Sequence, residues 1–113
     1  MPLDTSLEQV DAATLVVKLT GRMTLGMRLQ ELEGQLNHAV DNGVRRLLLD
    51  MSGIEYADSA GLGLVMLLYG RMKKVQGSLR VVAPGPTLQQ LFELTNTDKL
   101  LSIYPDLAAA LAD

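Results

Sequence analysis

Residues 56 to 63 read YADSAGLG and run straight into the apolar stretch LVMLLYGRMKK. One hydroxyl, Ser59, stands between an acid, Asp58, and a set of small residues, Ala60, Gly61 and Gly63. A serine so placed can do one of three things. It can attack a substrate, cap a helix, or accept a phosphate.

The nucleophile reading rests on Ala57-Asp58-Ser59-Ala60-Gly61, which is close to a G-x-S-x-G elbow with alanine in the first place. Two features oppose it. That elbow's partners follow the serine in the order acid, then histidine, whereas the one histidine, His38, precedes it. Residues 52 to 58 also separate the apolar strand from Ser59, too long a link for a tight elbow. The capping reading needs only that Asp58 or Ser59 accept a free N–H at the start of a helix. Gly61 and Gly63 would then let the backbone approach a neighbour closely. The switch reading uses the same geometry. A phosphate on a serine at a helix start meets free N–H groups and the positive end of the helix dipole. It adds roughly −1.5 to −2 charges at one spot, which weakens any interface facing acidic groups. Capping and switching are compatible.

Other chemistry-bearing residues carry less. His38 stands alone on a helix without cysteine or clustered carboxylates, and reads as a surface side chain. Asp50 and Asp58 form a carboxylate pair only if a loop brings them together. Gly61-x-Gly63 lacks the lysine of a phosphate-binding loop and the third glycine of a dinucleotide fingerprint. Ser52 serves a turn after a strand.

The elements that position Ser59 follow from periodicity. Residues 3–10 and 14–20 read as a strand hairpin around Asp11-Ala12-Ala13. Leu29, Leu32, Leu36 and Val40 recur at helical spacing, and that helix ends near Asn42-Gly43, with Thr24 a candidate cap at its start. RRLLLDM, 45–51, is a continuous apolar run of the kind found in central strands, and Ser52-Gly53 turns the chain after it. A second helix covers 59 to about 76, ending at Gly77. SLRVVA, 78–83, is a strand; TLQQLFELT, 87–95, a short helix; LSIY, 101–104, an edge strand; and a last small helix follows Pro105. Alternating strands and helices predict an α/β fold with a mixed sheet of four to five strands and about four helices. At about 100° per residue, Leu62, Val65, Met66 and Tyr69 of the second helix share one side. Ala60, Leu64, Leu67 and Arg71 share the other. Either neighbouring helices cover both sides, or one side meets a partner.

The bulk composition narrows the functions. With 113 residues the chain is the length of one domain. Hydrophobic residues are 48% of it and aromatics 4%, so aliphatic side chains build the core. A net charge of −3 without a basic run removes the electrostatic drive for direct nucleic-acid binding. The absence of cysteine excludes disulfides and thiolate catalysis, and fits a cytoplasmic protein. The longest apolar run, Leu64 to Leu68, is far shorter than the roughly 20 residues of a membrane span, so no membrane insertion is expected. The start, MPLDTSLEQV, carries no signal-peptide pattern.

LLLDMSGIEYADSAGLGLVMLLYGRMKKVQGSLRVVA resembles the heart of the STAS domain family, the fold of anti-sigma factor antagonists. That family shows a strand ending in D-x-S-G, a short loop, then D-S, a small residue and G-L-G opening a helix. Here these are Asp50-Met51-Ser52-Gly53 and Asp58-Ser59-Ala60-Gly61-Leu62-Gly63. Gly21 in LTGRMT and the end LFELTNTDKLLSIYPDLAAAL are similar too, so the resemblance runs from about residue 8 to 112. Two positions depart from it. Ala57 stands where a β-branched residue is commoner, and Asn96 replaces a turn glycine.

The resemblance implies a single STAS domain over residues 1–113 that is not an enzyme and needs no cofactor. It implies partner switching. The unphosphorylated protein binds an anti-sigma factor that is also a serine kinase, which frees the sigma factor. Phosphorylation at Ser59 dissolves the complex and a serine phosphatase restores it. The implied partner surface is Asp58, Ser59, Ala60, Gly61, Leu62 and Gly63, joined by Arg22, Met23 and Thr24 of the preceding loop. The alternative within the family is a fixed subunit of another assembly, a lipid-transport ATPase complex or a stressosome-type particle, without a phospho-switch.

Overall fold

The computed structural model describes residues 1–113. Its elements run β1 (Asp4–Asp11), β2 (Thr14–Met23), α1 (Met27–Asp41), β3 (Arg46–Ala57), α2 (Ser59–Lys74), β4 (Ser78–Val82), α3 (Pro86–Leu94), a 3-10 turn (Thr97–Lys99), β5 (Ser102–Tyr104) and α4 (Leu107–Ala112). The five strands form one sheet in the order β1-β2-β3-β4-β5. β1 and β2 pair antiparallel, because two residues suffice to reverse the chain there. The Asp11 carboxylate accepts the Ala13 N–H at 2.9 Å and sets that turn. Each later strand pairs parallel to its predecessor, since a helix or longer crossover intervenes. The mixed sheet and four helices agree with the fold expected from the sequence.

Strand alternation divides the core unequally. Leu15, Val17 and Leu19 of β2 and Leu47, Leu49 and Met51 of β3 point to one face, under α1, α2 and α3, in a cluster of 24 buried residues. Val16, Leu48 and Val82 point to the other face, where α4 covers them with Ala110. α4 is only six residues long, and its exposed end is held by side chains. Arg80 Nη1 donates to the Ala110 carbonyl at 2.6 Å and Arg46 Nη2 to the Leu111 carbonyl at 3.1 Å. The Tyr104 hydroxyl donates to Asp113.

Four expectations about these elements are corrected. Ser52-Gly53 is not a turn, because β3 runs through it to Ala57. β2 stays beside it throughout, and β3 carries one extra residue at each of two register shifts, opposite Lys18–Thr20 and Gly21–Arg22. The Asp50 carboxylate accepts the Ser52 N–H at 3.0 Å, a local bond that mimics turn chemistry inside a strand. Thr24 does not cap α1; the N-cap is Gly26, with no side-chain bond to the helix. α2 buries neither of the two sides anticipated. Its buried stripe is Gly61, Leu64, Val65, Leu68 and Met72, midway between them, and the two anticipated sides are its flanks. α2 also stops before Gly77, where Gln76 takes a left-handed conformation at φ 60°.

Candidate functional site

β2 and β3 are parallel neighbours, so the helices that follow them begin side by side at one edge of the sheet. The link from β2 to α1 is Thr24-Leu25-Gly26, and the link from β3 to α2 is Asp58 alone. Asp58 binds these two links together. Its backbone is extended, at φ −91° and ψ −172°, as an N-cap requires. Its Oδ1 accepts the Gly61 N–H at 3.0 Å, and its Oδ2 accepts the Leu25 N–H at 3.0 Å. Its own N–H donates to the Met23 carbonyl at 3.2 Å. The Leu25 amide first, and the Gly61 amide next, hold the Asp58 carboxyl below the ordinary 3.8. It is therefore an anion at neutral pH, with both oxygens engaged.

Gly61 explains why a small residue must follow the serine so closely. A Cβ there would overlap the Met23 carbonyl oxygen and lie 2.9 Å from the Met23 Cβ. The first turn of α2 thus rests against the end of β2. Gly63 has no such role. A Cβ there meets nothing within 4 Å, and the residue lies on the outer side of the helix.

Ser59 is the first residue of α2 and is exposed. The cap belongs to Asp58, so Ser59 stands on the helix without holding it. A shallow groove of about 340 Å³ runs beside it between α1 and α2, lined by Leu25, Leu29, Glu33, Ala60, Gly63 and Leu67 among others. Leu25 is 76% exposed and Leu67 52% exposed, so the groove has apolar lips. Its two helices are joined at both ends. Asp58 ties the α2 start to Leu25; further along, Arg71 Nη1 donates to the Asn37 carbonyl at 3.2 Å and Nη2 pairs with Asp41.

The residues singled out from the sequence divide by position. Ser59 and Gly63 are exposed; Asp58, Ala60, Leu62 and Thr24 are half-buried. Arg22 is exposed, with its guanidinium 4.8 Å from the centre of the Tyr56 ring. Met23 is 1% exposed and Gly61 is buried, so these two shape the site from within. Tyr56, 41% exposed beside Arg22, was not singled out, and Leu25 and Leu67 stood only at the margins of the expected surface. The available signal for Leu25 and Tyr56 was that each is a large residue with no place in a core stripe.

Two points bear on catalysis. The strand reaches Ala57, so Ser59 does sit at a tight strand-to-helix junction, and the argument from a long link fails. The argument from histidine stands. His38 lies 12 residues along α1 from Gly26, about 18 Å at the helical rise, and contacts Asn42 there. Asp50 and Asp58 do not form a pair, because the continuous strand keeps them about 20 Å apart, the length of β2 beside it plus one residue.

Comparison with known proteins adds the following. A family model described as Mlab, STAS domain, matches residues 6–102. The chain is 37% identical over 76 residues to BtrV of Bordetella bronchiseptica, whose name describes a proposed anti-sigma factor antagonist. That alignment covers 67% of this chain and 63% of the relative, so a third of the relative lies outside it. The crystal structure of an anti-sigma factor antagonist from Mycobacterium paratuberculosis superposes with a TM-score of 0.83 at 30% identity, covering 98% of this chain and 92% of that one. The Bacillus cell fate determinant SpoIIAA in its phosphorylated form superposes with a TM-score of 0.77 at 20% identity, over 94% of this chain and 96% of that one, a likeness of fold.

Proposed function

This chain belongs to the STAS domain family, and from that premise we propose that it is an anti-sigma factor antagonist switched by phosphorylation of Ser59. In this reading the unphosphorylated protein docks an anti-sigma factor serine kinase over α2 and the Thr24–Gly26 link. The kinase modifies Ser59, the complex parts, and a serine phosphatase resets it. The protein is a binding module of the cytoplasm rather than an enzyme.

One observation carries the reading. Ser59 is exposed at the start of α2 while its neighbour Asp58 does the capping. A group added to Ser59 therefore leaves the helix start intact. What it changes is charge: roughly −1.5 to −2 at the mouth of an apolar-lipped groove, beside an Asp58 already ionised. A partner packed on Leu25 and Leu67 would have to desolvate that charge or move away.

The test has two arms. Intact-mass analysis with peptide mapping, after incubation with ATP and cognate kinases, should find one phosphate, on Ser59. Titration of the kinase should show Ser59→Ala binding like the native protein and Ser59→Asp binding roughly tenfold more weakly, about 1.4 kcal/mol. Equal binding by both variants removes the charge switch. Absence of phosphate with every cognate kinase favours the fixed-subunit alternative, with Ser59 a bystander on its helix.

A further inference from the structure

The surface beside Ser59 does not end at the first turns of α2. The outward line of that helix is Ser59, Gly63, Leu67, Gly70 and Lys74, residues three or four apart that lie opposite its buried stripe. Leu67 divides the space between α1 and α2. On the Ser59 side lies the groove already described. On the other lies a second cavity, of about 490 Å³, lined by Asn37, Met66, Leu67, Gly70, Arg71 and Lys74. Leu67 is a wall of both, so the two form one trough. From Ser59 to Lys74 it is about 22 Å long at the helical rise. Gly70 opens its far half. A Cβ there meets nothing within 4 Å, so packing does not require glycine, which is a poor helix former. The bare position leaves room against the helix for an incoming side chain.

The charges at the far end select the occupant. α2 closes with Arg71, Lys73 and Lys74. Arg71 is paired with Asp41 and bonded to the Asn37 carbonyl, and Lys73 Nζ lies 5.5 Å from the centre of the Tyr69 ring. Lys74 is exposed, lines the second cavity and meets neither a carboxylate nor a ring. A free ammonium on the rim of a cavity walled by Met66 and Leu67 fits a side chain with an apolar stem and an anionic head. A second copy of this chain laid in the trough would cover Ser59, which a kinase must reach. A partner segment that is apolar over Leu67 and acidic at Lys74 meets both features.

Resting on the reading that the partner is an anti-sigma factor kinase, we infer that this kinase lays one amphipathic segment along the whole trough, apolar against Leu67 and acidic against Lys74 in the space left by Gly70. The two ends then act separately, because about 22 Å far exceeds the roughly 8 Å over which exposed charges act at physiological salt. A phosphate on Ser59 disrupts the near contact and leaves the Lys74 contact in place. The phosphorylated protein therefore keeps a weak, salt-sensitive hold on the kinase.

Titration of the purified cognate kinase against the full chain tests this. Lys74→Glu should weaken binding at least about tenfold, and by less as salt rises. Lys99→Glu makes the same change of charge outside the trough and should bind like the native chain. Gly70→Leu places a Cβ where nothing lies within 4 Å and fills the cavity. It should unfold no earlier than the native chain, since leucine is the better helix former, and still bind at least about tenfold more weakly. The losses from Ser59→Asp and Lys74→Glu should multiply when the two are combined. A kinase that loses affinity for Ser59→Asp but is indifferent to Lys74→Glu and Gly70→Leu overturns this inference alone. A kinase that does not bind the native chain overturns the proposed function together with it. A native dimer in sedimentation that Gly70→Leu disperses also overturns it, because a second copy would then fill the trough.

Discussion

α2 and α4 start in the same way and serve different ends. Each begins with an aspartate in extended conformation whose Oδ1 accepts the N–H three residues on, Asp58 from Gly61 at 3.0 Å and Asp106 from Ala109 at 2.8 Å. The difference lies in what surrounds the cap. The other oxygen of Asp58 crosses to the Leu25 amide, and Gly61 lets the helix touch β2. α4 has an ordinary alanine at the matching place and is secured at its far end by Arg46 and Arg80. α2 is tied to its neighbours at its start as well as near its end, where Arg71 meets α1; α4, beyond its own cap, is tied only where it finishes. A residue at the start of α2 thus stands on a fixed post, and that is where the exposed serine is.

The contrast can be broken most severely at Gly61. Gly61→Ala forces α2 off Met23, and overpacking of this kind costs about 1–3 kcal/mol or more. The reverse change at the matching place, Ala109→Gly, costs about 1 kcal/mol or less through helix propensity. Denaturant unfolding of the two variants should rank them in that order. Next come the caps themselves. Asp106→Ala should cost about 1 kcal/mol, the usual value of a local cap. Asp58→Ala should lower the unfolding midpoint by more, because it also frees the Thr24–Gly26 link. Equal losses would mean that the Leu25 bond adds nothing. The smallest effect is acid sensitivity. Asp58 is held below 3.8 in the folded chain, so its ionised bonds stabilise above the unfolded value and are lost as the pH falls through the folded one. The stability difference between the native chain and Asp58→Asn should be constant near neutrality and shift only below about pH 4. A difference that moves between pH 6 and 8 would point to another group.

Much of this arrangement was written in short-range pattern. Period-two and period-3.6 apolar spacing located the strands and helices, and the left-handed backbone at Asn96, φ 59°, matches its tolerance as a turn residue. The sequence misled where local chemistry and long-range pairing disagree. Ser52-Gly53 has turn residues and even a turn-like bond from Asp50, yet β2 alongside keeps it extended. The α2 stripe was misplaced because apolar residues also fill both flanks, leaving only Ser59, two glycines and the terminal lysines to mark the outward direction. The neighbourhood of Ser59 was legible as a motif, but its mechanics were not. Nothing near Asp58 in sequence indicates that its second oxygen belongs to a residue 33 positions earlier. Nor does the sequence around Met23 distinguish a surface loop from the wall against which Gly61 packs.

The Asp58–Leu25 bond has an evolutionary corollary. It uses only the backbone amide of residue 25, so any residue except proline can complete it. The side chain there, 76% exposed, is released from scaffold duty. Under the proposed function, substitutions at that position can retune the partner surface while the framework beneath the serine stays as it was.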